Sequence, residues 1–305
     1  MPESKRPLLS PNQYTLFFII CLSFICALIL SLLASALKEP QQNAMELDRN
    51  KQLLIAAKIL SPYGYFLVED EGETFKPAKF SDQGYLVPSE DKIIPSGTEI
   101  MQVFRRRVSP FLVNAKGEET TFQKAGINEQ AYIADYKKSG YYTQREKLIY
   151  KIFGNVPEGK TPAVQGYAIP LNGMGLWDAI YGYIAFKPDG NTVIGTSWYD
   201  QKETPGLGAN IAEPLWQSQF LGKQLFQESA DGKTDFKSAP LGIVVIKGRV
   251  SEVLGNSPKS HNSVDGMAGA TLTGNGVTNA FRDCLAPYRP FLIKIHRSYK
   301  TGEGK

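Results

Sequence analysis

Ile180-Tyr181-Gly182-Tyr183-Ile184-Ala185-Phe186, Pro188-Asp189-Gly190-Asn191 and Thr192-Val193-Ile194-Gly195-Thr196-Ser197-Trp198-Tyr199 follow one another almost without interruption. Two β-prone runs joined by turn residues predict an antiparallel hairpin. Downstream, residues 215–226 read as a helix, and Leu241-Gly242-Ile243-Val244-Val245-Ile246-Lys247 is another β-prone run. Val277, Phe281 and Leu285 recur at i, i+4 and i+8, which predicts a helix that Pro287 stops. Upstream, residues 61–160 are polar and broken by turn signals such as Pro62-Tyr63-Gly64 and Asp82-Gln83-Gly84, with short apolar runs like Ile100-Met101-Gln102-Val103-Phe104. No chemistry stands out there, and Tyr141-Tyr142 reads as packing or interface and not as a site. The expected fold class is α+β, a largely antiparallel sheet with packed helices.

The amino end sets the location. No charged residue occurs between Pro7 and Leu37, and residues 16–37 are almost entirely Leu, Ile, Phe, Ala and Cys. At about 1.5 Å per residue this run spans roughly 33 Å, the thickness of a bilayer core. Ala34-Ser35-Ala36 behind Lys5 and Arg6 also fits a signal-peptidase site, but the run exceeds the roughly 7–15 residues of a signal h-region. The expected organisation is a cytoplasmic tail (1–12), a transmembrane helix (13–37), a connecting helix and first part of an extracytoplasmic domain (38–160), a cofactor domain (161–286) and a C-terminal tail (287–305). Within the third segment, residues 43–60 read as an amphipathic helix after Pro40.

A chain of 305 residues with 42% hydrophobic and 21% charged residues has an ordinary globular composition. A net charge of +4, with no basic block beyond Arg105-Arg106-Arg107, gives no support to nucleic-acid binding, and that triplet reads as a solvated face. Cys284 is alone outside the anchor, where Cys21 and Cys26 lie, and His261 and His296 are the only histidines. A metal site, an intradomain disulfide and Ser-His-Asp catalysis all lack residues.

Three short motifs carry what chemistry there is. In Asp265-Gly266-Met267-Ala268-Gly269-Ala270-Thr271, a threonine hydroxyl sits on a glycine-loosened loop before a helical pattern, where amides and the helix dipole favour an anion. In Glu203-Thr204-Pro205-Gly206-Leu207-Gly208, Pro205-Gly206 suits the centre of a type II turn. In Gly173-Met174-Gly175-Leu176-Trp177-Asp178, a Gly-x-Gly turn precedes a large flat side chain that fits either the core or an aromatic ligand. Singly, each is a common connection; their combination behind one membrane anchor is not.

Together these motifs resemble the covalent FMN-binding C subunit family of the sodium-translocating NADH:quinone reductase, and more distantly the G subunit of the Rnf electron-transport complex. The resemblance covers the anchor, the following helix and residues 163–285. It implies an electron-transfer subunit in the bacterial inner membrane, with a cytoplasmic amino terminus, a periplasmic domain and FMN joined through its phosphate to Thr271 by a separate flavin transferase. Thr273 is the competing acceptor. It further implies that Leu176, Trp177, Glu203, Thr204, Gly206, Leu207, Gly269 and Ala270 line the flavin, and that Asp265, Gly269, Ala270 and Thr271 are read by the transferase. Ala268 stands where the family usually has Ser or Thr. Other membrane subunits are the implied partners: the flavin takes an electron from a membrane iron–sulfur centre and passes it to a second flavin, on the route from NADH to quinone that exports sodium. No acid–base catalytic residue is required. The length of residues 61–162 and the form Asp-Gly-x-x-Gly-Ala-Thr-Leu-Thr favour the C subunit over the Rnf-type subunit. A cofactor-free assembly protein, with the three motifs serving only as turns, is the reading from a different class.

Overall fold

The structure, a computed structural model of the full chain, describes residues 11–70, 74–229 and 231–302. Residues 1–10 of the expected tail, Lys5 and Arg6 among them, lie outside the described residues. The chain divides into two compact units, to Asp48 and from Arg49 onward.

Helix α1 (Pro11–Ala56) is long and apolar enough to cross a membrane. It continues through Pro40, so residues 43–56 extend the same helix instead of starting a new one. Pro40 removes one internal hydrogen bond and crowds the carbonyl four residues before it, and the helix continues past it. Met45 is exposed, whereas Leu53, Leu54 and Ala56 are buried in the second unit. A tight turn with Lys58 at φ +56° ends this segment.

In the second unit, β1 (Phe66–Glu69), β2 (Phe75–Phe80) and β3 (Leu86–Pro88) form a small antiparallel sheet. Helix α2 (Gly97–Arg107) follows, started by a capping box in which Ser96 and Glu99 satisfy each other's amides. Strands β4 (Val108–Val113), β5 (Glu119–Thr120), β6 (Lys147–Phe153), β7 (Val164–Met174), β8 (Ala179–Phe186) and β9 (Val193–Asp200) make an antiparallel six-stranded sheet in the order β5-β4-β6-β7-β8-β9. The short helices α3 (Phe122–Ala125) and α4 (Glu129–Tyr136) lie between β5 and β6. Half of this sheet therefore comes from the polar region before residue 161, whose buried Phe111, Leu112, Leu148 and Ile149 are too few in sequence to advertise strands.

The predicted β8–β9 hairpin is present. Asp189 accepts hydrogen bonds from the amides of Asn191 and Thr192, and Gly190 takes φ +70°, which closes the turn. The helix expected over 215–226 is not. Pro214 starts only α5 (Pro214–Gln217) and a 3₁₀ turn to Phe220, and Gly222 at φ +74° then turns the chain to bridge Gln224 to Thr192 beside β9. The expected 241–247 strand shrinks to β10 (Val244–Val245), because Gly242 at φ +110° breaks the ladder; Leu241 and Ile243 are apolar because they are buried in the core. After α6 (Val250–Val253), β10 pairs in parallel with β11 (Ser263–Val264).

Helix α7 (Thr271–Leu285) buries Val277, Phe281 and Leu285 as its spacing predicts. Phe281 meets Trp198 of β9 edge-on, at 5.5 Å between ring centroids. The stretch expected as a C-terminal tail forms α8 (Arg289–Thr301), whose Phe291, Leu292 and Ile295 close the same core. Tyr141 is packing, as read: it is buried, stacks on Tyr132 and donates to the Ile133 carbonyl. The arginine triplet is not simply a solvated face. Arg107, on the α2 face that carries Ile100 and Val103, is buried.

Candidate functional site

The three motifs converge where α7 meets the ends of β7 and β9. Glycines permit this approach. A Cβ at Gly173 would stand 2.6 Å from the Ala280 Cβ, and one at Gly276 would collide with the Met174 carbonyl, so α7 lies directly on the end of β7. The first motif is the β7–β8 connection, closed by a Gly175 amide donating to the Asp178 carbonyl at 2.9 Å. Gly173 is thus a strand residue, and only Gly175 belongs to the turn. The second follows β9. Gly206 takes φ +75° and the Leu207 amide donates to the Thr204 carbonyl, the arrangement Pro205-Gly206 predicts.

Glu203 ties the motifs together. Its side chain is buried; Oε1 accepts from the Trp177 amide at 3.0 Å and Oε2 from the Thr273 hydroxyl at 2.5 Å. A Cβ on Gly175 or Gly208 would strike this carboxylate. Burial pushes the Glu203 pKa up, but bonds from Thr273 and from the Trp177, Leu176 and Asp178 amides outweigh it and hold the carboxyl below its ordinary range. Both oxygens of Glu203, a residue the resemblance implies at the flavin, are engaged by protein groups.

Above it, Trp177 is 68% exposed, and its indole Nε1 donates to Thr204 Oγ1 at 3.0 Å, which fixes the ring's orientation. Leu176, Leu207 and Leu272 are also exposed, and Gly269 at φ +73° leaves only 2.9 Å from a notional Cβ to Leu207 Cδ2. The core reading of Trp177 fails, since its indole is exposed, hydrogen-bonded and accompanied by exposed leucines.

Thr271 opens α7 and is exposed, and Ala270 before it supplies no side-chain cap. First-turn amides without a capping side chain favour an anion. Thr273 differs sharply: it is 1% exposed and its hydroxyl is committed to Glu203. Gly266 does not take the positive φ its sequence allows; its missing Cβ lets the Ile246 carbonyl approach instead. Asp265 is structural as well, since its Oδ1 accepts from the Val250 amide at 2.7 Å and its carbonyl from the Trp216 indole. These internal bonds carry no signal in a single sequence. Cys284 is buried, donates to the Asn172 carbonyl and has its pKa pushed up to about 12 by burial, which makes it an unreactive core thiol.

A phosphate-bearing aromatic cofactor fits this arrangement, with a hydroxyl and free amides at one end and an exposed indole and leucines at the other. Comparison with known proteins agrees. Residues 175–286 match the FMN-binding domain family. The chain is 39% identical to the C subunit of the Na(+)-translocating NADH-quinone reductase from Chlamydia caviae, over 96% of this chain and 95% of that one. It is 30% identical to the Pasteurella multocida C subunit, covering 92% and 93%. The crystal structure of the Parabacteroides distasonis C subunit shares the fold, with a TM-score of 0.51 over 84% of this chain and 96% of that one at 24% identity. The chain therefore belongs to the C subunit family of the Na(+)-translocating NADH-quinone reductase and is an FMN-dependent electron-transfer subunit of that oxidoreductase.

Proposed function

We propose that this subunit holds its FMN covalently, as a phosphoester of Thr271, in a domain on the periplasmic side of a retained membrane anchor. The observation that carries the reading is the contrast at the start of α7: Thr271 is exposed at a helix terminus without a side-chain cap, while the Thr273 hydroxyl is spent on Glu203. Bound there, FMN supplies one-electron redox chemistry. The chain's own residues do the rest. The α7 amides would hold the phosphate, Trp177 and the leucines would pack against the ring, and Glu203 holds the loops in register. In the assembled complex the site relays electrons between a membrane iron–sulfur centre and another flavin, and a flavin transferase that reads the Asp265–Thr271 loop installs the cofactor.

Denaturing electrophoresis tests the covalent bond. Flavin fluorescence is expected to migrate with the chain; fluorescence that washes free overturns the attachment. Trp177→Ala is expected to keep the label but shift the reduction potential and absorption of the bound flavin, because the indole supplies contact and no bond. Unchanged values in redox titration would remove Trp177 from the cofactor surface. Amino-terminal sequencing is expected to find residues 13–37 in the mature chain. A mature chain starting at Leu37 overturns the anchor.

A further inference from the structure

Arg107 presents a charge that the protein itself does not answer. The residue closes α2 and is only 9% exposed. Nε donates to the Phe153 carbonyl at 2.5 Å and Nη2 to Gln165 Oε1 at 3.1 Å, both neutral acceptors. Among the described residues no carboxylate pairs with it and Nη1 makes no hydrogen bond. Burial alone depresses its pKa, to about 10, with no neighbouring anion to offset the effect. A buried guanidinium without a counter-charge is costly, and such sites are completed by an anion.

There is room for one. Arg107 lines a cavity of about 180 Å³ together with Arg106, Lys160, Tyr85 and Asn155. Gly84 opens the wall: a Cβ there would collide with the Arg106 guanidinium. Asn155 is occupied on both amide atoms by the Leu86 backbone, so it frames the cavity without filling it. Among the described residues lining this cavity there is no acid; Glu158 meets Arg106 at 3.6 Å with its own side chain 83% exposed, and Glu69 lines a second cavity with Arg107 without forming an ion pair with it.

We propose that this cavity is an oxyanion site for a phosphate group, lined by the Arg107, Arg106 and Lys160 side chains. Arginine's planar fork and a lysine point charge suit a phosphate's several oxygens and its charge better than they suit a single carboxylate. The phosphate belongs either to a small soluble ester or to an anionic lipid headgroup. The site is separate from the three motifs and does not depend on the flavin assignment.

The test is thermal unfolding of the detergent-solubilised full chain in a titration with sodium phosphate, against sodium chloride at equal ionic strength. A saturable, phosphate-specific rise in Tm is expected. The double variant Arg106→Gln/Lys160→Gln changes one partly exposed and one exposed side chain and is expected to raise the half-saturating concentration at least tenfold; Glu158→Gln, which removes the competing acid, is expected to lower it. Short-chain phosphatidylglycerol is the second arm, with short-chain phosphatidylcholine as control. Displacement of phosphate by phosphatidylglycerol alone assigns the site to a lipid headgroup, and phosphate binding without it assigns a soluble ester. A response no larger than that to chloride, or one unchanged in the double variant, overturns the proposal.

Discussion

Thr271→Ala is expected to yield a folded subunit without covalently bound flavin. The hydroxyl is the only atom of this chain that a phosphoester requires, and it lies at the exposed first position of α7, where its loss removes no core contact. The expected stability change is within about 0.5 kcal/mol, typical of an exposed substitution. In cells that also make the transferase, in-gel fluorescence is expected to vanish while yield and Tm stay near wild type. Thr271→Ser keeps a nucleophilic oxygen and is expected to restore part of the label. The informative companion is Thr273→Val, which removes the hydroxyl bound to Glu203. It is expected to retain the label at reduced stability. If fluorescence persists in Thr271→Ala and disappears in Thr273→Val, the attachment point moves by two residues.

Glu203→Gln has the largest expected effect on stability. The carboxylate accepts from the Trp177 amide and the Thr273 hydroxyl, with the Leu176 and Asp178 amides adding to its stabilisation. An amide in its place loses the charge and leaves one acceptor oxygen for the Trp177, Leu176 and Asp178 amides, its NH2 able to pair only with the Thr273 hydroxyl oxygen, which costs about 2–4 kcal/mol. Thermal unfolding reads this as a clear fall in Tm, together with a weaker label, because the first and second motifs lose their common tie. The pH dependence has a definite sign. The folded-state pKa of Glu203 lies below the ordinary carboxylate value, so its contribution is full above that ordinary value and disappears as pH falls through the lower one. Wild type is expected to lose stability over that acid window more steeply than the variant. Equal Tm values and parallel acid profiles would show that Glu203 ties nothing together.

Local chemistry announced some elements and left others unmarked. The β8–β9 hairpin was readable because Asp189 and Gly190 are the residues its turn demands, and α7 because Val277, Phe281 and Leu285 repeat at helical spacing. Strands β4 and β6 were not readable: Val108–Val113 and Lys147–Phe153 gain their stability from neighbours distant in sequence. The 215–226 segment has apolar residues at helical spacing, yet Gly222 and an edge pairing with β9 decide its form. At the site, residue types pointed to Thr271, Trp177 and the glycine turns. What they hid was direction. Whether Trp177 faces solvent, whether Thr273 is buried and whether Glu203 faces a ligand or the protein depend on packing between three loops, which no single stretch encodes. Arg107 carries the same lesson, since one residue of a basic triplet turns inward because it sits on the apolar face of α2.

The most direct measurement is the intact mass of the protein purified from cells containing the flavin transferase, followed by fragmentation of the modified peptide. The expected result is a gain equal to FMN less one water, located on Thr271. An unmodified chain mass, or an adduct mapped to any other residue, would contradict covalent attachment at that hydroxyl.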